Sequence, residues 1–138
     1  MRTHFADLLR TNTVGTAQAV YDYKVADFDG DNTVIVVASG PIERKIGSLG
    51  NCWDITVTLD VYVFVLYADT DNGWTESDAT NALDAIEALV ADTVINNQTA
   101  AGYWDFASYS GPTQPDVVPI GGIPYQRELI RILMEKTQ

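Results

Sequence analysis

The residues of this chain best placed to do chemistry are three aspartates in "DFDGDN", Asp27, Asp29 and Asp31, spaced like the first three ligands of an EF-hand calcium loop. Oxygen donors at alternate positions can wrap a hard cation, but such a loop also needs glycine at its sixth position and glutamate at its twelfth. Those positions hold Asn32 and Ala38, and the residues that follow have the pattern of a strand where a helix is required. The stretch reads as a solvated turn, because Asp, Gly and Asn tolerate tight and left-handed backbone. The lone histidine, His4, has no second histidine or thiol cluster with which to hold a transition metal. The single cysteine, Cys52, cannot form an internal disulfide and reads as a small core or edge residue. Asp69 with Asp71, and Glu76 with Asp78, are paired carboxylates, but they fall in a turn and at a helix start, where such groups cap and solvate. General acid–base work would need one of them buried. The sequence has no G-x-S-x-G elbow, and "GGIPYQR" lacks the phosphate-loop pattern. No catalytic residue, cofactor site or metal site is expected.

Charge narrows the classes further. The net charge is −11, yet from Ile46 to Gln126 there is no Lys or Arg, while eleven acids lie in that stretch. The flanks carry eight acids and eight bases and cancel. A duplex DNA binder needs clustered bases to displace counterions from phosphates, so specific nucleic-acid binding is excluded as a role. The amino-terminal segment "MRTHFADLLR" has no apolar run of signal-peptide length, and "VYVFVLYA" is too short to cross a bilayer, so an untargeted cytoplasmic product without membrane contact is expected. The length fits one domain, residues 1–138, able to bury a core without disulfides.

The elements can be placed from periodicity. Phe5, Leu8 and Leu9 have the spacing of a short amphipathic helix. "AVYDYKVADF" is a possible strand, and "TVIVVAS" is a β-branched run of the kind buried on both faces, closed by the loop "GPIERKIGSLGN". From Trp53 to Tyr67 one strand runs unbroken, and at about 3.3 Å per residue it spans roughly 50 Å, more than the roughly 35–40 Å diameter of a compact domain this size. Its odd positions are apolar throughout, while its even positions are polar at Asp54, Thr56, Thr58 and Asp60 and then apolar at Tyr62, Phe64 and Leu66. The second half is therefore expected to be covered on both faces. The first half should project with an apolar face, Trp53, Ile55, Val57 and Leu59, that its own domain does not cover and that meets another chain. A bulge near Asp60 is the alternative.

Thr75 is a good helix cap with Glu76 and Asp78 in the first turn, and Ala79, Leu83, Ile86, Leu89 or Val90, and Val94 form the stripe of a long helix. "YWDFASY" reads as a strand, "SGPTQPDVVPIGG" as a loop, and "IPYQRELIRILME" as a closing strand. Trp74, in a turn where no core residue is expected, joins Trp53, Ile55, Val57 and Leu59 as a candidate contact. The fold class is α+β: an antiparallel sheet of about four to five strands with a long strand or hairpin arm, one long helix and a short amino-terminal helix packed on it.

This order of parts, closed by "PIGGIPYQRELIRILME", resembles the tail terminator and tail-completion proteins of long-tailed bacteriophages. The resemblance covers nearly the whole chain and rests on layout, with Gly121 to Met134 as its most suggestive piece. It implies a structural virion protein of tail or neck, made in the host cytoplasm, that forms a ring, hexameric in that family. Such a ring caps the tail tube and joins it to a neck or head-completion protein. It also implies a lumen through which DNA passes, for which acids such as Asp54, Asp60, Asp84 and Glu87 would be the lining. A head-completion or neck connector is the alternative in the same class. A small α+β ligand-binding domain or enzyme is the alternative in another.

Overall fold

The computed structural model describes residues 1–47, 50–69, 73–111 and 113–138. In chain order the elements are α1 (Arg2–Asn12), β1 (Ala19–Tyr21), β2 (Thr33–Ile46), β3 (Trp53–Leu66), α2 (Glu76–Asn96), β4 (Phe106–Ser110), β5 (Pro115–Ile120) and β6 (Ile123–Thr137). The α+β class holds, with two helices on one face of the sheet. The sheet has six strands rather than four or five, in the order β1-β2-β3-β6-β4 with β5 also on β6. It is mixed and not purely antiparallel, because β1 runs parallel to β2.

β3 is the spine. It pairs with β2 on one side and β6 on the other along nearly its whole length, from Trp53 beside Ile46 and Asp54 beside Thr137 up to Leu66 beside Tyr125. It spans Trp53–Leu66, one residue short of the expected end. The bulge lies across from this strand instead of within it. Register shifts between Ser39 and Ile42, so Gly40 and Pro41 are absorbed on β2 while β3 runs straight. A side chain at Gly40 would sit 2.7 Å from the Thr58 carbonyl oxygen, which is why the bulge carries glycine. Pro41 lacks an N–H and is tolerated there because a bulge needs no ladder donor. The expected loop after "TVIVVAS" is therefore mostly strand: β2 resumes as Ile42–Ile46, and with β3 and the end of β6 it makes a three-stranded arm.

The two faces of the sheet are covered unequally. On one, the odd residues of β3 pack with Phe5, Ala6 and Leu9 of α1 and with Ala79, Leu83, Ile86, Val90 and Val94 of α2. Leu89 is off that stripe, so Val90 is the buried member of the expected pair. α2 starts as expected: the Thr75 hydroxyl accepts from the Asp78 N–H, and the Asp78 carboxylate accepts from the Thr75 N–H. On the other face, Phe64 and Leu66 are covered by Phe28, Val34, Val36 and Tyr125, so the second half of β3 is sheathed on both sides. Phe28 is carried over by the "DFDGDN" turn, where Asp29 and Gly30 have φ of 52° and 83° and Asp27 accepts from the Asp29 N–H. The rest of "AVYDYKVADF" is not strand beyond β1.

The loop expected over "SGPTQPDVVPIGG" contains β5, which pairs with β6 as a hairpin across Gly121–Gly122. Both glycines have positive φ, as a two-residue turn of this hand requires. Pro115 and Pro119 are compatible with β5 because it is an edge strand. Strand β4 begins at Phe106, later than expected, because 100–104 make a turn. Asp71 lies outside the described residues. Among those described, no helix is long and apolar enough to cross a membrane.

Candidate assembly surface

The arm places its side chains by simple alternation. Ile42, Arg44 and Ile46 of β2 lie opposite Val57, Ile55 and Trp53 of β3, all on the face that carries the helices. The helices stop short of the arm's end. Ile46 is 69% exposed, Ile42 56% and Trp53 46%; Ile46 and Trp53 are paired at the end of the arm, and Arg44 separates them from Ile42 along the same strip. At its inner end a depression of about 220 Å³ is lined by Ile42, Arg44, Val57, Tyr103 and Lys136 among others. Tyr103 is stacked on His4 at 3.8 Å between ring centroids.

The exposure expected of Ile55, Val57 and Leu59 is corrected here. They are 6%, 8% and 0% exposed and belong to the chain's own core, in one cluster with Phe5, Ala6 and Leu9 of α1 and flanked in the sheet by Met134 and Ile132 of β6. Trp53 is open as expected. Trp74 is partly buried: its indole N–H donates to the Leu66 carbonyl at 2.6 Å and its ring packs against both core clusters. Its position in a turn gave no hint of that, since the hydrogen bond is made to a strand end eight residues earlier. Ile42 and Ile46 were missed. Their alternation in "IERKI" was the available signal, masked by the Gly40-Pro41 pair before it.

The four acids proposed for a lumen divide between two sides of the molecule. Asp54 and Asp60 lie on the face away from the helices, where Asp54 stands opposite Lys45 and Arg131 approaches Asp60 at 3.8 Å. One oxygen of Asp60 is buried without a hydrogen bond. Asp84 and Glu87 are on α2, which carries Glu76, Asp78 and Asp92 as well and no base. Glu87 accepts a hydrogen bond from the Tyr109 hydroxyl at 2.8 Å, and burial together with this carboxylate raises the Tyr109 pKa above the usual phenol value. Beside them Glu128 is buried, accepting from the Thr113 hydroxyl. Burial, with the nearby charges of Glu87 and Asp84, raises its pKa, and the Thr113 hydrogen bond opposes the rise. A buried carboxylate is a feature that an enzyme could use, but Glu128 does not line the cleft of about 220 Å³ between Lys24, Phe28, Tyr62 and Arg127. That cleft is lined by apolar and cationic side chains and the Tyr62 phenol, and holds no carboxylate among the described residues.

No protein-family model matches the sequence, and no curated protein does. Among solved structures, a chain in the virion of a native gene transfer agent particle is similar, with a TM-score of 0.50 and 13% identity over 92% of this chain and 83% of that one. This likeness is one of fold, and it is to a component of a virion, the kind of particle to which the layout of the sequence pointed. A chain in the structure of an extracellular contractile injection system, the PVC sheath/tube terminator in its extended state, gives a TM-score of 0.43 and 12% identity over 99% of this chain and 54% of that one. That second likeness is too loose to carry an argument.

Within this fold, the surface that stands out is the arm. It combines a three-stranded base, in which β3 is paired on both sides, with a buried inner half and exposed apolar side chains at its end.

Proposed function

We propose that this chain is a non-enzymatic structural subunit of a phage-like tail, a tail terminator that assembles as a ring, caps the tail tube and meets a neck or head-completion protein. The observation that carries the reading is the uncovered strip of Ile42, Ile46 and Trp53 at the end of the arm. Exposed aliphatic and aromatic side chains that share one face of a paired strand mark a contact surface. A ring closes when one patch of each subunit meets a different patch of the next, and a projecting arm supplies one of the two. Support also comes from the fold shared with a chain of the gene transfer agent virion. An excess of acids on the surface would repel phosphates and let DNA pass without being held. The place of action on this reading is the tail or neck of the particle.

Mass in solution by light scattering, with electron microscopy of the chain alone and mixed with tail tubes, tests the proposal. Rings, hexameric if the resemblance extends to stoichiometry, and caps on tube ends are the expected result. A chain that stays monomeric at about 1 mM and leaves tube ends bare would overturn it, and binding to head connectors instead of tubes would assign it to the neck.

A further inference from the structure

The bases of this chain that lack an acidic partner are concentrated at the arm. Eight side chains are Lys or Arg. Arg10, Lys45, Arg127 and Arg131 each have an acidic partner within 4.0 Å, leaving Arg2, Lys24, Arg44 and Lys136 without one among the described residues. Three of those four lie within or beside the strip. Arg44 and Lys136 line the depression beside Ile42, and Arg2 lines its neighbour on the other side of Ile42. Glu43, Asp54 and Glu135 belong to the same strands but alternate onto the opposite face, so no arm acid shares the face of the strip. Arg44 and Arg2 are exposed, and Lys136 donates only to the Gly102 carbonyl. Arg44 and Lys136 flank Ile55 between Ile42 and the Ile46–Trp53 pair, so the strip itself carries positive charge on a chain whose net charge is −11.

The matching surface is on the chain itself. α2 carries five acids and no base; Asp78 is used in the cap and Glu87 by Tyr109, while Glu76, Asp84 and Asp92 are exposed and have no basic partner among the described residues. A positive strip and a negative helix on different parts of one molecule are complementary in the way a head-to-tail contact requires. We propose that the arm strip of one copy, Ile42, Ile46 and Trp53 with Arg44 and Lys136 between them and Arg2 beside Ile42, docks on the acidic side of α2 of a second copy. This rests on the ring reading and names the two patches that close it.

Reciprocal charge reversal tests the contact, using the full chain and light scattering across concentration at 0.1 M salt. Arg44→Glu with Arg2→Glu should weaken association at least tenfold, and Asp84→Lys with Asp92→Lys should do the same. All four positions are exposed, so thermal melting should show each variant folded. The combined variant should recover most of the wild-type association, and salt at 1 M, where the screening length falls to about 3 Å, should weaken the wild type. A wild type that assembles but is indifferent to both reversals, or a combined variant no better than its parents, overturns the contact and leaves the ring standing. A wild type that never assembles overturns the ring itself. If Trp53→Ala abolishes tube capping with the solution mass unchanged, the strip belongs to the tube and the self-contact is refuted.

Discussion

Replacing Ile46 by Thr should weaken association while leaving the fold nearly intact. Ile46 is 69% exposed in the isolated chain, so only about a third of its side chain already contributes to folding. Full burial of an isoleucine is worth about 1.5–3 kcal/mol, which puts the folding share below about 1 kcal/mol and leaves about 1–2 kcal/mol to be gained at a contact. Threonine keeps the β-branch that suits a strand, so strand propensity is held constant. The expected effect is roughly 5- to 30-fold in the association constant at 1.4 kcal/mol per factor of ten. Leu59 supplies the contrast: it faces the same side of β3 but is 0% exposed, and Leu59→Ala should cost about 2–5 kcal/mol of fold stability. Trp53, 46% exposed, should split its effect between the two. Urea melts give the folding term and sedimentation across concentration gives the association term. Should Ile46→Thr lower stability as much as Leu59→Ala, or leave the mass distribution untouched, the assignment of the strip as a contact would fail.

Gly40→Ala would place a methyl group 2.7 Å from the Thr58 carbonyl oxygen at the β2 bulge, and a loss of about 1–3 kcal/mol is expected in denaturant melts. Thr75→Ala removes the hydroxyl half of the α2 capping box and should cost about 1 kcal/mol, measured the same way. Glu128→Gln tests the raised carboxyl pKa. The folded state holds the Glu128 proton more tightly than the unfolded chain does, so stability is full below about 4.5, the unfolded value, and falls as pH rises through the higher folded value. The glutamine variant should therefore melt above the wild type at pH 7 to 8, and its advantage should vanish near pH 4.

Much of the scaffold was legible because each element follows its own period. α2 declares its cap and its stripe within one segment, and β3 shows by the switch at Tyr62 where its second face becomes covered. What could not be read depended on partners distant in sequence. Ile55 and Val57 look uncovered when β3 is taken alone, but they share a core cluster with α1 and are flanked by β6, and nothing local says how far those elements reach. Gly40 with Pro41 reads as a terminator, and only a bulge lets a strand continue through such a pair. β5 hid behind Pro115 and Pro119, although the Gly121–Gly122 turn was the signal for a strand on each side of it. Trp74 fills a gap between the two cores, which its turn position does not reveal. The arm residues divide in the same way: the exposure of Trp53 follows from alternation, whereas the clustering of Arg2, Arg44 and Lys136 is a product of the fold.

The size of the strip limits how it can work. At roughly 100 Å² per aliphatic side chain and up to about 250 Å² for tryptophan, the exposed parts of Ile42, Ile46 and Trp53 amount to on the order of 200–300 Å². A stable interface buries about 800 Å² on each partner, so the strip can be only the dry centre of a contact whose larger part is polar. The unpaired bases around it therefore matter to affinity and to salt dependence, and a single such contact should be weak. In a closed ring every subunit holds two of these contacts, and losing one still leaves the other in place, so closure adds stability without any new surface. The equilibrium should then pass from monomer to complete ring over a narrow range of concentration, with few open intermediates. A sedimentation profile showing stable dimers and trimers would mean that the contact is strong alone, contrary to the area the arm presents.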